Sequence, residues 1–226
     1  DSADVEVFVN NPMQEIDGFG ACFNELGWTS LSELNSKDRE NIIKDLFSKE
    51  GMNFSVGRMP LGANDFSRDW YSYNETDKDF EMKNFSIAND EETLIPFIKA
   101  ALAVRPDLKL WASPWCPPTW MKYNKHYACM YQDPETVQKN MRQLGVDDNI
   151  TTVNHLTPDQ QGAEGADMFI QKPEYLKAYA LYFKKFIEAY RSEGIHIDMV
   201  APQNEFNSCQ VFPSCIWTAE SLSRFV

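Results

Sequence analysis

Short apolar runs that end in polar or glycine-rich residues alternate four times with longer segments of helical periodicity. The runs are Ile16 to Phe23, Phe54 to Leu61, Leu108 to Trp115 and Ile197 to Glu205. After the first, Asn35-Ser36 opens a segment from Asp38 to Ser48 in which Ile42, Ile43, Leu46 and Phe47 share one helical face. After the second comes Glu92 to Val104, with an apolar stripe of Leu94, Phe97, Ile98, Ala101 and Leu102. After the third, the helix waits until Pro173, a residue suited to a first turn, and Leu176, Tyr179, Phe183, Phe186 and Tyr190 keep the period to Arg191. Thr218 and Ser221 open a helix behind the fourth. This alternation predicts βα units on a parallel sheet.

Two stretches fall outside the pattern. Val5, Val7 and Val9 alternate with Glu6 and Phe8, which predicts a lone strand within residues 1–12, outside the sheet of 13–226. Residues 122–172 hold one short helical candidate, Pro134 to Leu144, and loops of this length are usually lids or binding loops. A closed (β/α)8 barrel takes eight units and about 250 residues. Four units therefore predict the first half of such a barrel, with its second half supplied by further sequence; an open four-stranded α/β sheet is the alternative.

The balance of 34 acidic against 21 basic residues, net −13, disfavours nucleic acid and anionic membrane surfaces as partners. A neutral carbohydrate meets no such repulsion, and 13% aromatic residues offer faces for sugar rings. No run reaches the roughly 20 apolar residues of a membrane span. The opening DSADVEVFV lacks a signal peptide's basic and apolar regions, so any signal peptide is read as already removed; a secreted, periplasmic or cell-surface protein is the expectation. The five cysteines form no CxxC pair, and Cys209 and Cys215 could either bridge or remain free. No metal site or cofactor is expected. Asn-X-Ser/Thr triplets stand at Asn53, Asn74, Asn84 and Asn149, and no glycosylation is inferred from them.

Glycosidic bonds are broken by pairs of carboxyl groups, one of which donates a proton to the leaving oxygen. Glu205 stands at the end of a predicted barrel strand, the rim where enzymes of this fold build their sites. Adjacent strand residues face opposite sides, so Asn204 and Glu205 can share a site only if the backbone is irregular there, as Pro202 upstream allows. Otherwise they are a solvated pair. Arg58 could hold a carboxylate or make an ordinary loop ion pair, and Asp65 in GANDF could bind hydroxyls or simply build a turn. Trp115 and Trp120 could be sugar platforms or core. His126, His155 and His196 lie far apart, and no HExxH, GxSxG or phosphate-binding glycine pattern occurs.

The segments IDGFGACF, FSVGRMPLGANDF, DFEMKNFSI, LWASPWCPPTWMK and PQNEF, in this order, resemble glycoside hydrolase family 30, the glucosylceramidase-like enzymes. The resemblance implies an eight-unit β/α barrel with a side β-domain to which Val5 to Val9 would contribute. It implies a retaining hydrolase of β-linked glucosides, acting on β-1,6-glucan or a glucosylceramide-like substrate, with β-xylosides as the rival class and a non-catalytic carbohydrate-binding protein as the rival role. Glu205 then corresponds to the acid/base, Asn204 to the neighbour that bonds the sugar 2-hydroxyl, and Arg58 to the arginine beside the nucleophile. Asp65, Trp115 and Trp120 fall to substrate binding. The nucleophile belongs to the seventh strand and is absent from this chain. Phe206 departs from the proline usual after the acid/base.

Overall fold

The computed structural model describes residues 4–145 and 153–226. The triplet at Asn149 and the centre of the long insertion lie outside them. Four strands, β1 (Gly20–Cys22), β2 (Val56–Pro60), β3 (Lys109–Ser113) and β4 (Met199–Val200), form one parallel sheet in sequential order. Its register pairs Cys22 with Arg58, Arg58 with Trp111, and Ala112 with Val200. At the first pairing a Cβ on Gly20 would lie 1.5 Å from the Val56 carbonyl oxygen, so only glycine permits this approach.

The helices are α1 (Glu25–Ser32), α2 (Ser36–Phe47), α3 (Ala88–Glu92), α4 (Leu94–Val104), α5 (Pro134–Gln143), α6 (Pro173–Ser192) and α7 (Ala219–Phe225). The strand face carrying Met59, Leu110 and Ala112 is buried with helix residues Ile43, Phe47, Leu94, Ile98 and Phe186 in one core. Val56, Arg58 and Trp111 on the opposite face are only partly covered. A doubly wound sheet has helices on both faces, whereas a barrel has them outside only. One-sided cover and sequential strand order therefore favour the barrel over the open-sheet alternative.

Several elements differ from expectation. Helix α1 was not predicted, because ELGWTSLS has little periodicity; Asn24 starts it by accepting a hydrogen bond from the Gly27 N–H at 2.7 Å. The predicted helix from Glu92 begins earlier and breaks at Thr93, whose hydroxyl donates to the buried Glu25 carboxylate at 3.0 Å. Glu25 also accepts from the Arg68 backbone, the Arg68 guanidinium and Asn89, so it joins α1 to the loop after β2. Strand β4 is shorter than expected, although Asp198, Ala201 and Asn204 still donate to Leu110, Ala112 and Pro114 of the neighbouring chain segment. Residues 4–10 form no strand: Val5, Val7 and Val9 are exposed, and no ladder partner lies among the described residues to satisfy their backbone. All five cysteines are free thiols.

Asp90 is fully buried and accepts hydrogen bonds from Tyr71, Tyr73 and Tyr190 at 2.5–2.6 Å. Burial raises its pKa to about 6 against the three hydroxyl donors, which favour the charged form. Because the folded value exceeds the unfolded one, its stabilising contribution is complete below pH 3.8 and is lost as pH rises through about 6. Asp90→Asn removes that titration, so its unfolding free energy should vary by about 2–3 kcal/mol less than wild type over this window. Denaturant titrations at pH 4 and 6.5 measure the difference; parallel curves for the two proteins would contradict it.

Candidate active site

Arg58, on the partly covered face of β2, organises the site. Its Nη2 donates to Asn204 Oδ1 at 2.6 Å, and its Nε and Nη2 donate to the buried Ser113 hydroxyl at 3.2 and 2.8 Å. The guanidinium carbon lies 4.8 Å from the Trp111 ring centroid and 4.5 Å from that of Trp115. One cation thus joins β2, β3 and the segment after β4, using the planar fork and stacking surface particular to arginine. Trp111, Ser113 and Trp115 occupy alternate positions, which places all three within reach of Arg58.

Asn204 and Glu205 do share a site. Glu205 has φ +43°, in the left-handed region that costs a non-glycine residue about 1–2 kcal/mol. The turn there sets aside the strand alternation, and both side chains line one cavity of about 300 Å³ together with Arg58, Asp65 and Trp115. Gln203 braces the turn, its Nε2 donating to the carbonyls of Trp115 at 2.7 Å and Asn204 at 2.9 Å. Asp65 is presented by a turn in which Asn64 Oδ1 accepts from Phe66 N at 2.8 Å and Asn64 N donates to Ser67 Oγ at 2.8 Å. GANDF therefore builds a turn, and that turn places Asp65 at the cavity.

Trp120 stands apart from this group. It is 3% exposed, its indole N–H donates to the Asn74 carbonyl at 2.9 Å, and its ring packs against Phe80 and Tyr175. This corrects its assignment to substrate binding: it falls in a turn of 3₁₀ helix (Thr119–Met121), beyond the strand parity that carries Trp115 to the cavity. None of the described residues of the long insertion lines the cavity. Cys22, Asn24, Asn64, Phe66 and Phe212 line it without having been anticipated. Ser113 was also missed, although its alternation with Trp115 could have marked it; Phe212, far along a loop, carried no such signal.

A cavity at the C-terminal rim of a parallel sheet, lined by two acids, three amides, a guanidinium and a tryptophan, is suited to a polyhydroxylated ring. The family model for the glycosyl hydrolase family 30 TIM-barrel domain matches residues 16–144, and the chain belongs to that family. Its four parallel strands are part of the family's (β/α)8 barrel. It is 33% identical over 208 residues to putative glucosylceramidase 4 of Caenorhabditis elegans, covering 90% of this chain and 34% of the relative. The endo-1,6-β-D-glucanase neg1 of Aspergillus fumigatus is 28% identical over 195 residues, or 85% of this chain and 35% of that protein. Among solved structures, the endo-β1,6-glucanase BT3312 superposes with a TM-score of 0.72 at 29% identity, over 97% of this chain and 41% of its own. The chain thus spans about a third of the length of these curated relatives.

Proposed function

We propose that the full-length protein is a retaining hydrolase of β-linked glucosides, in which Glu205 is the acid/base and the nucleophile comes from sequence outside this chain. The observation that carries the reading is the turn at Glu205, which puts its carboxyl in one cavity with Asn204, Arg58, Asp65 and Trp115. Glu205 protonates the leaving oxygen, a second carboxylate about 5 Å away attacks the anomeric carbon, and Glu205 then removes a proton from the water that releases the sugar. Asn204, held by Arg58, bonds the 2-hydroxyl; Asp65 accepts from other hydroxyls, and Trp115 borders the ring. A secreted or cell-surface location fits a polymeric glucan as substrate.

The relatives' names divide between glucosylceramidases and endo-1,6-β-glucanases, and the exposed carboxylate of Asp65 favours a substrate rich in hydroxyls. Incubating the full-length protein with β-1,6-glucan, a simple β-glucoside and a glucuronoxylan should release glucose or glucose oligomers from the first two. Xylose release without glucose would overturn the substrate assignment.

A further inference from the structure

We propose that the described parts of residues 122–172 form a clamp on the loop carrying Glu205, and that Gln210 is the positioning residue through which this clamp orients the Glu205 carboxylate. The inference rests on the acid/base reading above.

The insertion grips the 207–218 loop along its length. Gly165 N donates to Asn207 Oδ1 at 2.6 Å, and Asn154 Nδ2 donates to the Val211 carbonyl at 2.8 Å. The fully buried Lys122 ammonium donates to the Ser214 carbonyl at 2.7 Å while holding its own loop through Tyr127 O at 2.8 Å. Met168 N reaches Ile216 O at 2.8 Å, and Asp167 Oδ1 accepts from Thr218 N at 2.7 Å. A lid that opened would have to break these bonds together, several of them buried and costly to leave unmade.

The clamp meets the proposed chemistry at Gln210. Its carbonyl accepts from Cys129 N at 3.1 Å and from Met130 N at 2.8 Å, which fixes its main chain to the insertion. Its side-chain Nε2 donates to Glu205 Oε2 at 3.0 Å and also to the Ser208 hydroxyl. The terminal torsion of an exposed glutamate is otherwise broad. Holding one carboxyl oxygen narrows it, and alignment of a proton donor with the leaving oxygen is worth a large factor in rate.

Gln210→Met tests this directly, because it removes the side-chain donor and leaves both main-chain bonds in place. An alkyl β-glucoside needs a proton on its leaving oxygen, whereas a dinitrophenyl β-glucoside departs without one. In the full-length protein, Gln210→Met should lose roughly tenfold in kcat/KM on the alkyl substrate and less than twofold on the dinitrophenyl one. Asn154→Ala, which releases Val211, should show the same selectivity at about threefold. Equal losses on both substrates, or no loss on the alkyl glucoside, would overturn the role of Gln210; an Asn154→Ala variant without selectivity would overturn the clamp. Glu205→Gln measured alongside separates the two layers: if it discriminates between the substrates and Gln210→Met does not, only this inference fails, and if it does not discriminate, the acid/base reading fails with it.

Discussion

Glu205→Gln in the full-length protein is expected to lower kcat/KM for an alkyl β-glucoside by roughly 10³-fold, within the 10²–10⁴ range of a positioned acid/base. The amide keeps the size and a hydrogen-bonding oxygen but has no carboxyl proton to give. The substitution should also be mild for the fold, because Glu205 is exposed and the main-chain bonds of its turn, such as Ser208 N to Glu205 O at 2.9 Å, do not involve its side chain. A matching melting temperature with lost turnover would assign the defect to chemistry. Turnover within fivefold of wild type would remove Glu205 from the mechanism.

Arg58→Lys should be the next most damaging change, at roughly 10²–10³-fold in kcat/KM. Lysine keeps the charge but cannot serve Ser113 and Asn204 together with a rigid fork, nor lie as a plane against Trp111 and Trp115. Losing a hydrogen bond to a charged group costs about 1.5–3 kcal/mol, and the stacking contacts add about 0.5–2 kcal/mol. Asn204 would lose the partner that orients it, so the loss should fall on kcat as well as KM. Steady-state kinetics of the variant check this, and a change confined to KM would mean that Arg58 merely helps hold substrate.

Periodicity made the sheet legible. Each of the four apolar runs contains an observed strand, and the stripes that marked α2, α4 and α6 supply residues to the same core as Met59, Leu110 and Ala112. Trp115 continues the face of Trp111 and Ser113 past β3, whereas the place of Trp120 was not legible, because it falls in a 3₁₀ turn beyond the strand where parity no longer applies. What sequence left open depended on departures from regularity. Asn204 and Glu205 reach one cavity through a turn in which Glu205 adopts a positive φ, and Pro202 hinted at irregularity without giving its direction. Gln210 and the clamp were invisible, because hydrogen bonds between two irregular segments leave no period and no composition. Val5 to Val9 alternate as the sequence shows but stand exposed, with no ladder partner among the described residues.

Proton donation by Glu205 is tested most directly by its dependence on the leaving group. The ratio of kcat/KM for a dinitrophenyl β-glucoside to that for an alkyl β-glucoside, compared between wild type and Glu205→Gln, isolates the step that needs a proton. That ratio should rise by at least about 10²-fold in the variant, since only the alkyl substrate depends on the lost acid. An unchanged ratio would mean that Glu205 supports folding or binding but does not protonate the leaving oxygen.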